Sequence, residues 1–277
     1  MSEQAFMENF RKDFPSLDRT RNNQPPIYLD NACTSLVPTP VINALNEYYL
    51  DFPGCGGRRS HHWFADEVTE RIEGNAEARI TGSRRAMADF IHAGSAQEII
   101  FTQNTTHAIN TVALGFNFKP GDVVLVSDRE HNSNLLPWLR LQSLGKVQVE
   151  IFHQDASETF DLDALEILLK SKRVRLVSLA FTSNLTGVTL PAREIVRIAH
   201  QYHARVLLDA AQTVPHQPVD VQALEVDFLT FSLHKMCGPR GVGVLYARKE
   251  LLENHAGTQE DHLEPVILGG GTVSDST

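Results

Sequence analysis

Cysteine is scarce in this chain. Cys33, Cys55 and Cys237 are the only three in 277 residues, and they form neither a CxxC pair nor a spacing that suits a metal. A disulfide framework and a cysteine-based metal centre are excluded as organising devices, and the sparse, odd count predicts a reducing compartment. A secretory signal is also lacking, because the opening MSEQAFMENFRKDF is polar and acidic. No apolar run approaches the length that spans a bilayer. Charges of the two signs are mixed, and the net charge of −9 gives no long-range attraction to nucleic acid or an anionic membrane. Repeats and low-complexity tracts are absent. What remains is a soluble, cytoplasmic globular protein of ordinary composition, long enough to bury a core without staples.

Residues 1–26 read as an N-terminal arm, with Phe6, Phe10 and Phe14 on one helix face and a polar link, RTRNNQPP. IYLDNACTS reads as a short strand and turn, VPTPVINALNEYYLDF as a helix, and residues 64–92 as one long helical pattern. The chain then alternates. Apolar runs at EIIFT, DVVLVS, VQVEIFH, RLVSLAF and RVLLDA are separated by amphipathic helical stretches, and DFLTFS and GVGVLYA follow. Such alternation predicts parallel strands with right-handed crossovers, covered on both faces by helices. Ligands of such sheets bind outside the carboxyl ends of the strands.

Those ends carry unusual polar residues. Thr105 and Thr106 stand where a strand hands over to a helix, a place suited to an anion. His131 follows DVVLVS in REHNSN, and Asn184 follows RLVSLAF in TSNLTG. Taken alone, each of these is more often a cap or a turn former. Asp209 ends RVLLD, and a buried carboxylate there needs a cation or several donors. Lys235 lies one strand further on, in FSLHK, after Ser232 and His234. An extended backbone there predicts Ser232 and His234 on one side and Lys235 on the other. An anion pocket, a carboxylate, a flat side chain, amide donors and an amine on one sheet edge suit pyridoxal 5'-phosphate.

The same stretches carry a resemblance. YLDNACTS (28–35), NTTHAINTVA (104–113), EHNSNLLPW (130–138), TSNLTG (182–187), LDAAQTVPHQPVDVQAL (208–224), DFLTFSLHKMCGPRGVGVLY (227–246) and LGGG (268–271) resemble the class V, fold-type-I pyridoxal-phosphate enzymes. Among these they look most like cysteine desulfurases and selenocysteine lyases. The resemblance implies a three-layer α/β sandwich with a mostly parallel sheet as the large domain over 27–277, the family's C-terminal small domain being absent from the chain. It implies that Lys235 bonds covalently to the cofactor and that His131 stacks on its ring and takes part in proton transfer. Asp209 then faces the ring nitrogen and Gln212 the phenolic oxygen. Asn184 lies near that oxygen and the substrate carboxylate, and Thr105, Thr106, Ser232 and His234 take the phosphate. The loop from Gly269 implies a homodimer with shared active sites.

The expected reaction is conversion of L-cysteine to L-alanine with transfer of sulfur to an acceptor protein, and no metal is expected. Alternatives on the same scaffold are an aminotransferase, an epimerase or a selenocysteine lyase. A truncated cofactor-binding module without turnover is a further one. None of the three cysteines matches the family's sulfur-carrying nucleophile; Cys33 and Cys237 can each lie near the cofactor, but free cysteines often serve as small core hydrophobes. The residues of RRSHHWF stay unassigned.

Overall fold

The structure, a computed structural model, describes residues 3–57, 60–154, 160–253 and 261–268. The chain divides into two compact units, one formed by residues up to 83 with 233–242, the other by residues 84–232 and 243–268.

The first unit contains α1 (Glu3–Arg11), α2 (Thr39–Asp51) and α3 (Trp63–Glu73). Phe10 and Phe14 meet edge to face at 5.2 Å, as the four-residue spacing predicts; the side chain of Phe6 lies outside the described residues. Two expectations fail here. The stretch 27–35 is not a strand: Ile27 and Leu29 are 86% and 88% exposed, and residues 30–34 turn back so that the Tyr28 hydroxyl reaches the Thr34 carbonyl at 2.6 Å. The helical pattern of 64–92 is broken at its glycines. Gly74 closes α3 at φ +93°, a conformation that disfavours any side chain. Asn75 and Ile80 then bond to each other through both backbones at 2.9 and 2.8 Å. Of the loop PGCGGRRSHH, Arg58 and Arg59 lie outside the described residues.

The second unit is built on a seven-stranded sheet. In chain order it contains α4 (Ser83–Phe90), β1 (Ile99–Thr102), α5 (Thr105–Gly115), β2 (Val123–Ser127), α6 (Asn132–Ser143), β3 (Gln148–Phe152), α7 (Leu162–Ser171) and β4 (Val174–Ala180). There follow α8 (Ala192–Gln201), β5 (Arg205–Asp209), α9 (Val221–Leu224), β6 (Phe228–Ser232), β7 (Gly243–Ala247) and α10 (Lys249–Leu252). The strand order is β1-β7-β6-β5-β4-β2-β3. Each of the seven apolar runs from EIIFT to GVGVLYA is a strand. β7 alone departs from the parallel expectation, running antiparallel to both β1 and β6. Its link from β6 holds no helix long enough for a crossover, and a short return forces antiparallel pairing.

Alternating residues fill both faces. Val124, Val126, Leu176, Leu207, Phe228 and Leu245 join Ile109, Val112, Phe116 and Trp138 of the α5–α6 layer in one core. Leu125, Val177, Val206, Leu208, Leu229 and Val244, on the other face, are equally inaccessible. Strands buried on both sides have no use for polar alternation, which is why they read as unbroken apolar runs. The amino-terminal edge of the sheet is closed by ion pairs: buried Asp227 meets Arg205 at 2.9 Å and His200 at 2.7 Å. The six co-directional strands therefore present their carboxyl ends together on the opposite edge.

Candidate active site

The carboxyl edge of the second unit gathers most of the residues singled out above. α5 begins immediately after β1. Asn104 caps it, accepting from the His107 N–H at 2.9 Å, and the Thr105 N–H donates to Ser232 Oγ at 2.8 Å. The Thr105 and Ser232 hydroxyls also meet at 2.7 Å, and both residues are buried. Ser232 is the last residue of β6, so the strand delivers its hydroxyl to the first turn of the helix. Gly243 of β7 permits this approach. A Cβ at 243 would stand 2.5 Å from Asn104 Cα, where backbone leaves no room to give.

Thr106, exposed on the same turn, is linked to the next strand end. Its hydroxyl lies 2.7 Å from Ser133 Oγ, and Ser133 Oγ lies 3.0 Å from His131 Nδ1. His131 is also the cap of α6, its Nδ1 accepting from the Ser133 N–H at 3.1 Å. That bond assigns the proton of the neutral ring to Nε2. Each hydroxyl of the Thr106–Ser133 pair can be donor, so Thr106 can turn its proton to an anion while accepting from Ser133. The ring of His131 is exposed, with its faces available for stacking.

Adjacent to His131 in the chain stands a group that sequence reasoning missed. Glu130 accepts at Oε1 from Ser127 Oγ at 2.5 Å. At Oε2 it accepts from Asn134 Nδ2 at 2.6 Å and from the Ala180 N–H at 2.7 Å. Its carboxyl is nevertheless pushed up to about 7, chiefly by burial. The Ser127 and Asn134 bonds act against that shift, the Asp209 charge adds to it, and the Ala180 bond again opposes it. Asn134, fully buried, also accepts from Ser178 Oγ at 2.6 Å and Trp138 Nε1 at 3.3 Å. Glu130 and Asn134 stand four residues apart, the spacing of one helix face. Nothing else in the sequence separates this glutamate from a solvated one.

Asp209 ends β5, 5% exposed, in register with Ala180 of β4 and Thr230 of β6. Its Oδ1 accepts from the Ala211 N–H at 3.0 Å. Beyond it the chain turns, leaving Gln212 buried and its carbonyl bonded to His216 Nδ1 at 2.7 Å. The loop after β4 is tied to this turn through Thr182 and Thr213, 2.9 Å apart. Asn184 is not drawn in; it is exposed at the tip of that loop.

His234 and Lys235 belong to the first unit. The extended backbone expected through Ser232–Lys235 is not formed. After Ser232 the chain enters a 3₁₀ turn, Leu233–Lys235, closed by Met236 and Gly238 N–H groups on the Leu233 carbonyl at 3.0 and 2.8 Å. The alternation of sides therefore stops at Ser232. His234 is held below the ordinary histidine value by burial first, then by the Lys235 and Arg240 cations. Connectivity alone keeps the Lys235 Cα within about 11 Å of that of Ser232. The loop from Gly269 lies outside the described residues.

This donor set fits a phosphate ester of an aromatic aldehyde. Two buried hydroxyls meet at a helix N-terminus that only a glycine in β7 accommodates. A histidine ring lies at the end of β2, and the buried carboxylate that ends β5 is of the charge that suits a ring N–H. Residues 27–277 match the model of the family described as aminotransferase class-V.

The chain belongs to the class-V aminotransferase family.

Members of this family are pyridoxal-phosphate-dependent. A cysteine desulfurase of Klebsiella pneumoniae is 39% identical over 253 residues, 90% of this chain and 60% of that relative. The apo structure of a cysteine desulfurase from Thermococcus onnurineus superposes with a TM-score of 0.83 at 37% identity, covering 98% of this chain and 62% of that one. A cysteine desulfurase of Escherichia coli gives 0.77 at 32% identity, covering 96% and 67%. The chain spans about 60% of the length of the curated relatives it matches. The class-V scaffold accounts for the mixed sheet with one antiparallel strand. No helix among the described residues is long and apolar enough to cross a membrane.

Proposed function

We propose that this chain carries the cofactor-binding residues of a pyridoxal-phosphate enzyme that takes sulfur from L-cysteine, leaves L-alanine and passes the sulfur to an acceptor protein. Residues 27–277 form its cofactor-binding domain, residues 1–26 an arm, and the enzyme works as a cytoplasmic homodimer. The observation that carries the reading is the Thr105–Ser232 contact at the start of α5, with Asp209 ending a neighbouring strand and Lys235 three residues past Ser232.

Pyridoxal phosphate, when bound, supplies an aldehyde for a substrate amine and a protonated ring that draws electrons from the substrate. The chain's residues do the rest. Thr105, Thr106, Ser232 and His234 take the phosphate, with α5 presenting its positive end. His131 would stack on the ring, with its Nδ1 engaged by Ser133. Asp209 keeps a proton on the ring nitrogen by charge. Gln212 donates to the phenolic oxygen; Asn184, exposed at its loop tip, would reach that oxygen and the substrate carboxylate only if the loop folds inward. Lys235 would hold the aldehyde carbon, and its amine would move a proton at the substrate α-carbon.

The purified protein with added cofactor is expected to turn yellow, to bleach with borohydride, and, with an added dithiol to reduce the sulfane sulfur, to form alanine and sulfide from L-cysteine in equal amounts. A protein that binds the cofactor but yields pyruvate, or exchanges amino groups with a keto acid instead, would overturn the desulfurase reading.

A further inference from the structure

Lys235 sits in a turn that the YLDNACTS stretch grips from both sides. The Ser35 N–H donates to the His234 carbonyl at 2.8 Å. Ser35 Oγ and Thr34 Oγ1 each reach the same carbonyl at 3.0 Å. The Cys237 N–H donates to Ser35 Oγ at 2.6 Å. One hydroxyl thus gives its proton to residue 234 and accepts one from residue 237, spanning the lysine.

The turn needs that partner. Its own carbonyl at Leu233 takes the N–H groups of Met236 and Gly238, and the N–H of Cys237 goes to Ser35. Cys237 has φ +63°, a left-handed conformation that costs a non-glycine residue about 1 kcal/mol or more and persists only where the surroundings impose it. Gly238 closes the turn so tightly that a Cβ there would stand 2.6 Å from Leu233 Cβ. The grip is itself anchored, because the Tyr28 hydroxyl holds the Thr34 carbonyl at 2.6 Å.

We propose that Ser35 is a positioning residue for Lys235: its hydroxyl, bonded on both sides of the lysine, sets the backbone from which the amine is aimed at the cofactor. This rests on the reading of Lys235 as the attachment point. A misplacement of about 1 Å in a reacting group costs on the order of 100-fold in rate, and a lysine whose flexible stem starts from an unfixed backbone has more orientations to lose before it reacts. Tyr28, Thr34 and Ser35 thereby acquire a common purpose that explains why this apolar-looking stretch is not a strand.

The test uses cofactor-free full chain mixed rapidly with pyridoxal phosphate, in the wild type, Ser35→Ala and Ser35→Thr. Formation of the covalent chromophore is followed by absorbance, its pH midpoint is titrated, and the Tm of the cofactor-free proteins is recorded. Ser35→Ala is expected to keep its Tm within about 4 °C. Its covalent attachment slows by about tenfold or more and its chromophore midpoint moves, while Ser35→Thr, which keeps the hydroxyl, restores both. Should Ser35→Ala not fold, Ser35→Cys, a weak donor of similar size, is expected to show the same slowing. Attachment at the wild-type rate with an unmoved midpoint would overturn the proposal. So would a loss of Tm and rate together that Ser35→Thr does not restore. A wild type that forms no covalent chromophore at all would instead strike the reading of Lys235, and the positioning claim with it.

Discussion

Glu130 and Ala180, fifty residues apart, are joined by a 2.7 Å hydrogen bond from the Ala180 N–H to Glu130 Oε2. The bond ties the loop after β2 to the end of β4. Asp209, in register with Ala180 on β5, adds its charge to the environment of the same carboxyl. A buried acid is thus braced one residue before the histidine assigned to stack on the ring.

Glu130 makes stability depend on pH in an unusual sense for an acid. Its folded value of about 7 lies above the ordinary 4.5, so the folded chain holds a proton that the unfolded chain releases. The contribution is complete below pH 4.5 and is lost as pH rises through about 7. Its full size is on the order of 3 kcal/mol. Between pH 5 and 8 the urea midpoint of the wild type should fall relative to that of Glu130→Gln. A constant difference between the two across that range would show that Glu130 does not titrate there.

Asn134 joins Glu130, Ser178 and Trp138 in one buried network. Asn134→Ala strands three polar partners and should cost about 2–4 kcal/mol in urea denaturation. A loss below about 1 kcal/mol would mean that the partners find replacements.

Thr230 offers the opposite case. Its hydroxyl is fully buried and has no hydrogen-bond partner among the described residues. Thr230→Val keeps the shape and removes an unmet polar group, so it should leave stability unchanged or raise it by about 1 kcal/mol. A clear loss by thermal or chemical denaturation would reveal a partner for that hydroxyl.

Gly243→Ala drives a methyl group into the Asn104 backbone. It should destabilise by about 1–3 kcal/mol. Because it displaces the start of α5, it should also weaken retention of pyridoxal phosphate in equilibrium dialysis more than it weakens that of pyridoxal. Equal loss for the two vitamers would separate α5 from phosphate binding.

Much of the fold was legible because both sheet faces are covered. Runs such as VVLVS and RVLLD can only be buried strands when helices flank them, and all seven were found. Their order was not legible, since pairing is set by packing between distant segments. The break at Gly74 was signalled by glycine but hidden under a continuing helical pattern. The stretch 27–35 misled because Ile27 and Leu29 look like strand residues, while the hydroxyls at 34 and 35 fix its path by bonds to residue 234. In the candidate site, Thr105, Asp209 and Ser232 announced themselves by standing at the ends of apolar strands. Glu130 and Ser133 did not, because one carboxylate and one serine beside a histidine carry no periodic or compositional mark.

The most direct measurement is to reduce the cofactor-loaded protein with borohydride, digest it and locate the modification by mass spectrometry. The account predicts a phosphopyridoxyl group on the peptide containing Lys235, and none in Lys235→Ala. Modification of another lysine, or an unchanged chromophore in Lys235→Ala, would contradict it.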